Sequence, residues 1–285
     1  MVDSKVTLDQ STQVHAREDE VSQAEEVQIE GTCTDEAIDS DKPVLNILYQ
    51  DEYLVAVDKP AGLFVHRSFL DRHEKYFALQ LVRDQVGKYV YPLHRLDRPT
   101  SGVLLFALDE NTARIMNEQF DDRAISKTYY ALVRGFLDGE GEIDHPLKPK
   151  LDKIGDKYAS EDKAPQAALT HYRTIVQGII DKPLGRYQTV RYSLVKLSPK
   201  TGRRHQIRRH LAHLRCPIIG DINYGDNKQN PFFHQEFGFK RLMLFAQSLT
   251  FNHPVTSERI EISASFDEQW KTVFTRLNWP IEHLD

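Results

Sequence analysis

The nine residues HRLDRPTSG, 94 to 102, set one carboxylate, Asp97, between two arginines and run straight into the apolar stretch VLLFAL. If that loop is extended, Arg95 and Asp97 at i and i+2 project to one side, and a guanidinium stabilises the charged form of a nearby carboxylate. An ionised carboxylate on a rigid element can serve as nucleophile or base. The plainer reading is a structural Arg–Asp pair that braces the loop. A second stretch, TGRRHQIRRHLAH (201–213), packs four arginines and three histidines into thirteen residues. Guanidinium forks suit phosphate, so this segment points to a polyanion, with a solvated helix face as the alternative. His205, His210 and His213 have no cysteine or carboxylate beside them to complete a ligand set, and H-E-x-x-H is absent, so no metal is expected. A third stretch, KTYYALVRG (127–135), puts Tyr129, Ala131 and Val133 on one face of a strand. Such a tyrosine is core, or stacks on a base, or acts as a general base where its surroundings lower its pKa.

The elements that must position these residues are legible from pattern. Apolar bursts at 46–49 and 53–57 around the turn-prone QDE read as a hairpin ending at Pro60-Ala61-Gly62. Leu79, Val82 and Val86 recur at helical spacing between Lys75 and Val86. VLLFAL is a central strand by its length and lack of alternation, and Asp109 can cap a helix whose apolar face carries Ala113, Met116 and Phe120. Residues 138–168, rich in Gly, Pro and charge, read as a long surface excursion with little core. Two strands follow, ALTHYRTIV and RYQTVRYSLVKLSP. The helix from His205 has an apolar face of Ile207, Leu211 and Leu214, and a neighbouring stripe of Arg204, Arg208, Ala212 and Arg215 expected to face ligand or solvent. Strands and helices without strict alternation predict an α+β fold: a largely antiparallel mixed sheet flanked by helices and loops. There is no internal repeat and no GxGxxG or GxxxxGK phosphate loop.

The bulk numbers narrow the partners. Residues 1–43 carry twelve acids against three bases, a net of −9, which leaves +4 for the rest of a chain whose total is −5. The expected organisation is an acidic disordered tail over 1–43 and one folded domain over 44–285, with a basic body suited to a polyanion. No window offers the roughly 18 apolar residues of a membrane helix, and the N-terminus has neither a secretory layout nor the basic character of a transit peptide. A cytoplasmic protein with no membrane partner is expected. Cys33 and Cys216 are too few for a disulfide framework and read as free thiols.

Four ordered motifs give the chain a resemblance to the RluA-type pseudouridine synthases, running from about Ile47 to Phe266. LVAVDKPAGLFVH resembles that family's opening strand and loop, and HRLDRPTSGVLLFA its catalytic block. KTYYALVRG resembles its KxYxAxxxG strand, and KTGRRHQIRRHLAHLRCPIIGDINYG its TGRxHQIRxHL segment with the trailing PIxGDxxYG. The resemblance implies a pseudouridine synthase fold with the catalytic cleft across the sheet, and Asp97 as catalytic residue. It implies that Tyr129 stacks on the flipped base and takes its C5 proton, and that Arg208 is the ion-pair partner of Asp97. Arg95 resembles the arginine that keeps the target nucleotide out of its helix, and Ile207 the apolar pocket floor. His94, Lys127, Arg204 and His205 fall in the same motifs as substrate-binding positions. No cofactor is implied, because the isomerisation involves neither net redox nor hydrolysis. Pro99, VHRS in place of VHP, and the charged insert LKPKLDKIGDKYASEDKAPQAALTHYR are similar to the tRNA-modifying TruC-type branch, whose target is uridine-65 of the T-stem. The N-terminus does not resemble an S4 RNA-binding domain.

The expectation is therefore a monomeric RNA-modifying isomerase acting on tRNA. An rRNA synthase of the same type and a non-catalytic RNA-binding or folding protein are the alternatives. Intact Asp97, Tyr129 and Arg208 speak against a protein that only binds. A carboxylate-pair glycosidase shares the C1′ chemistry, but no second acid stands in a comparable motif.

Overall fold

The computed structural model describes residues 42–67, 73–149 and 164–280. Of the acidic tail expected over 1–43, all but Lys42 and Pro43 lies outside them, and so does Cys33. Among the described residues no helix is long and apolar enough to cross a membrane.

The first hairpin forms where expected. Strand β1 (Asn46–Gln50) pairs antiparallel with β2 (Leu54–Lys59), and the Asp51 carboxylate closes the turn by accepting from the amides of Tyr53 and Leu54 at 2.7 Å. Helix α1 (Ala78–Val86) starts later than the apolar spacing from Lys75 predicts, because Phe77 is extended at its N-cap. The two-residue β3 (Tyr91–Pro92) leads into β4 (Ser101–Ala107), every residue of which is buried. The VLLFAL run lacks polar alternation because both faces of β4 are covered: Val103, Leu105 and Ala107 join one hydrophobic cluster, Leu104 and Phe106 another. Helix α2 (Glu110–Asp121) is capped by Asp109, which accepts from the Thr112 amide at 2.9 Å, and it buries Ala113 and Met116.

Then come β5 (Ser126–Arg134), β6 (Glu140–Asp144), β7 (Leu169–Ile180), β8 (Val190–Pro199) and α3 (Gln206–His213). The segment expected to be a surface excursion with little core contributes β6, which pairs with β7, and it buries Ile143, Leu147 and Ala168. Its abundance of charge misleads because β6 buries only Ile143 of its five residues, so the other side chains are open to polar and charged types. Residues 150–163 of the insert lie outside the described residues. The chain ends with α4 (Gln229–Phe237), β9 (Leu244–Asn252), β10 (Arg259–Ser263) and α5 (Glu268–Arg276).

The strands form one sheet in the order β1-β2-β4-β9-β5-β8-β7-β6, with β10 paired to β9 and β3 to β4. All pairs are antiparallel except β4 with β9, so the fold is the largely antiparallel α+β expected. The parallel pair is short, Ser101 opposite Phe245 and Gly102 opposite Ala246. It demands a glycine: Gly102 has φ +114°, and a Cβ there would fall 2.1 Å from the Ala246 carbonyl oxygen. Opposite Tyr129 the β5–β9 register slips by one residue, leaving Gln247 of β9 unpaired in that ladder. Bulges of this kind re-aim side chains beside active sites.

Candidate active site

The site grows from the loop in front of β4. The Asp97 carbonyl accepts from the Thr100 amide at 3.0 Å, which makes Arg98 and Pro99 the centre of a turn. The DKPAG stretch that ends β2 clamps that turn. Lys59 is fully buried, and its ammonium donates to the carbonyls of Pro60, Leu63 and Arg98 at 2.9, 2.8 and 3.1 Å. Burial pushes this lysine down to about 7 and the charge of Asp97 pulls it back up; three carbonyl acceptors match the three protons of the charged form. Neither arginine that brackets Asp97 in sequence is its partner. Arg98 turns back to the Gly62 carbonyl and to Glu74, lying over the Phe64 ring, while Arg95 is exposed. His94 braces the loop from the other side: its Nε2 accepts from the Leu105 amide at 3.1 Å. Burial, with Lys127 nearby, pushes His94 down to about 3, so it is neutral.

The partner of Asp97 comes from α3, 111 residues on. Arg208 donates through one NH to Asp97 at 3.0 Å, and through Nε and the other NH to Asp221 at 2.7 and 2.9 Å. Arg208 is buried at 3% side-chain exposure and Asp221 at 0%, whereas Asp97 keeps 25%. Burial works against charge on both buried groups. On Arg208 the two carboxylates outweigh it, raising the guanidinium further above its ordinary value; on Asp221 the arginine and the amides of Asn223 and Tyr224 hold the carboxyl below the usual range. The predicted basic stripe is therefore split. Arg208 points inward to the acids, while Arg204 and Arg215 are exposed on either side.

His205 precedes α3 in the left-handed region, φ 55° and ψ 28°, which is unusual for a residue with a Cβ. Its Nδ1 lies 3.0 Å from the Tyr224 hydroxyl and its Nε2 3.8 Å from Asp97. Gln206 fixes the start of the helix, accepting from Thr201 and the Arg203 amide and donating to Leu169 and Thr170 of β7. His210 is buried between Thr170 and the His145 carbonyl, and His213 stacks on His145 at 3.9 Å. His205 thus stands by Asp97, whereas His210 and His213 both meet His145. Among the described residues no group of three or more His, Cys, Asp or Glu side chains could hold a metal ion.

A cavity of about 870 Å³ opens beside Asp97, and His94, Arg95, Lys127, Tyr129, His205, Ile207 and Arg208 all line it. The structure thus brings together eight of the nine residues singled out from the sequence, while Arg204 lines a neighbouring cavity instead. Burial pushes the Lys127 ammonium down. Tyr129 differs from what a general base would need. Burial, then the nearby Asp97 charge, raise its phenol above the ordinary tyrosine value instead of lowering it. Sequence reasoning missed Lys59, Gln206 and Asp221. Of these only Asp221 carried a usable signal, as the one acid in the apolar run CPIIGD.

A family model described as RNA pseudouridylate synthase matches residues 53–213. The chain belongs to that family, and it is an RNA pseudouridine synthase, an isomerase. It is similar to proteins named tRNA pseudouridine synthase C. The one from Pasteurella multocida is 52% identical over 240 residues, 84% of this chain and 99% of that protein. The one from Haemophilus influenzae is 53% identical over 236 residues, 83% of this chain and 99% of that protein. Among solved structures, human RNA pseudouridylate synthase domain containing 4 superposes with a TM-score of 0.61 at 25% identity, covering 82% of this chain and 93% of that one. Human RNA pseudouridylate synthase domain containing 1 gives 0.60 at 25% identity, covering 78% and 83%.

Proposed function

We propose that this protein isomerises a uridine of tRNA, uridine-65 of the T-stem, with Asp97 as the catalytic residue, acting in the cytoplasm as a monomer without a cofactor. The observation that carries the reading is the arrangement at Asp97: a partly exposed carboxylate facing a cavity, paired to an arginine that a second, fully buried acid holds in place. The high identity to proteins named tRNA pseudouridine synthase C supports the choice of RNA.

Conversion of uridine to pseudouridine breaks the N1–C1′ bond, forms a C5–C1′ bond, releases the C5 proton and places a proton on the freed N1, so that no atom is gained or lost. The uracil must first leave its stack, at a cost of a few kcal/mol. In this reading Tyr129 offsets that cost by stacking on the base, Ile207 lies under it, and Arg95 at the exposed rim holds the vacated position. Lys127, His205 and Arg204 meet the backbone, and His94 keeps the loop in register. Asp97 then attacks C1′ or removes a C2′ proton; both routes use the same carboxylate at the same spot. The raised pKa of Tyr129 adds a condition. A protonated phenol takes the C5 proton only as its own hydroxyl proton moves on, and Asp97 is the carboxylate in the same cavity to receive it.

Tritium release from C5-tritiated uridine in bulk tRNA tests the reading. Wild type is expected to release label, and Asp97→Asn to lose about 10³-fold or more while binding tRNA almost as well. An active Asn variant removes Asp97 from the mechanism, and label released from tRNA whose position 65 is cytidine removes that position as the target.

A further inference from the structure

Asp97 and Arg208 both line two adjoining cavities. Tyr129, Ile207 and Lys127 line the first alone; the second, about 1100 Å³, shares Asp97 with it but not those three residues. With uracil in the first cavity and C1′ at Asp97, the second faces the sugar-phosphate chain and whatever that chain carries next. Its volume is at the top of the range of small-ligand pockets, on the order of 300 to 1,000 Å³, so a nucleotide fits. Its wall has the chemistry of a nucleotide site. Phe64, Phe233 and Phe239 give it apolar surface, and apart from Asp97 and Asp221 its charged side chains are arginines and Lys240.

Ile222 lies at the mouth of this cavity, 91% exposed. It is held out by a rigid turn. The Asp221 carboxylate accepts from the amides of Asn223 and Tyr224 at 2.9 and 3.1 Å, and the Asp221 carbonyl from the Gly225 amide and the Asn230 side chain at 3.0 Å. A Cβ on Gly225 would fall 2.0 Å from that carbonyl oxygen, so the turn closes only with glycine there. The same Asp221 anchors Arg208, so the isoleucine and the reacting centre share one support. A large apolar side chain fixed in water above a cationic cavity has the form of the apolar wedges that proteins press against nucleic-acid bases.

We propose that the second cavity is a subsite for the nucleotide joined to the target uridine, with Ile222 packing against its base and the cationic wall meeting its phosphate. This rests on the tRNA isomerase reading above. It makes the identity of the neighbour, and not only of the target, part of recognition.

The test is tritium release from a T-arm RNA hairpin with C5-tritiated target uridine, intact or made abasic at the nucleotide immediately 5′ or 3′ of the target. Wild type is expected to show about a tenfold rise in KM for one abasic RNA and little change for the other. Ile222→Asp should raise KM on the intact RNA by a similar factor and lose its sensitivity to that abasic change. Lys240→Gln should weaken binding with a shallower salt dependence. Both residues are exposed, so melting temperatures should hold; should Ile222→Asp lose stability, Ile222→Ser carries the same comparison. Variants with wild-type KM that keep the wild-type abasic penalty overturn the subsite alone. A wild type that releases no label from any RNA overturns the isomerase reading and the subsite with it.

Discussion

Two acids flank Arg208, and their surroundings give them different work. Asp97 is partly exposed to a cavity and takes one hydrogen bond from the arginine; Asp221 is fully buried and takes two. Removing one partner of a buried ion pair strands the other's charge, which costs about 3–5 kcal/mol. Asp221→Asn is therefore expected to destabilise the protein by about that amount in urea unfolding. Asp97→Asn should cost far less, since Arg208 keeps its stronger partner; equal losses would mean that the two acids share the support of Arg208. Lys59 makes a prediction in pH. Its folded value is near 7 and its unfolded value 10.5, so between those limits the unfolded chain binds the extra proton and stability rises with pH. Compared with Lys59→Met, the wild type should gain stability from pH 7 towards pH 10 and show the full burial penalty below 7. A difference that is flat with pH would mean that the three carbonyls hold the proton in place throughout.

At the scale of elements, the site depends on where strands begin and how they shift. Asp97 sits one turn ahead of β4, and β4 enters the sheet through the close parallel contact of Gly102 with Ala246. Gly102→Ala meets both a backbone oxygen at 2.1 Å and a positive φ, so a loss of several kcal/mol is expected, on the order of the largest single-residue effects. Turnover should fall with it, because β4 cannot move without carrying the Asp97 turn; a stable and fully active alanine variant would show that the turn is held by Lys59 alone. The bulge opposite Tyr129 works at the same scale. The alternation in KTYYALVRG was enough to place Tyr129 on a strand face, but not to show that β9 slips beside it. The surroundings that raise its pKa are likewise tertiary, since Asp97 lies thirty-two residues away along the chain.

At the scale of the whole molecule, charge is distributed to suit RNA. Arg95 and Arg204 are exposed beside the cavities, while Arg215 lines neither. Each phosphate contact contributes roughly 0.7–0.9 to the slope of log affinity against log salt. Arg204→Ala is expected to weaken tRNA binding and flatten that slope by somewhat less than one, and Arg215→Ala to change it little. The reverse order would move the RNA path to the far end of α3.

The sequence by itself determined the elements and the residue types: a buried β4 from an unbroken apolar run, the cap at Asp109, the apolar stripe of α3, and the motifs carrying Asp97, Tyr129 and Arg208. These follow from local periodicity and side-chain chemistry, which are written in adjacent residues. Only the tertiary structure decided who meets whom. It passed over Arg95 and Arg98 as partners of Asp97, formed the Arg208 pair that the motifs had implied across 111 residues, locked that arginine with Asp221, and buried Lys59 under the Asp97 turn. The physical reason is that an ion pair's strength and a group's pKa depend on burial and on distances set by the sheet, and neither is a property of spacing along the chain.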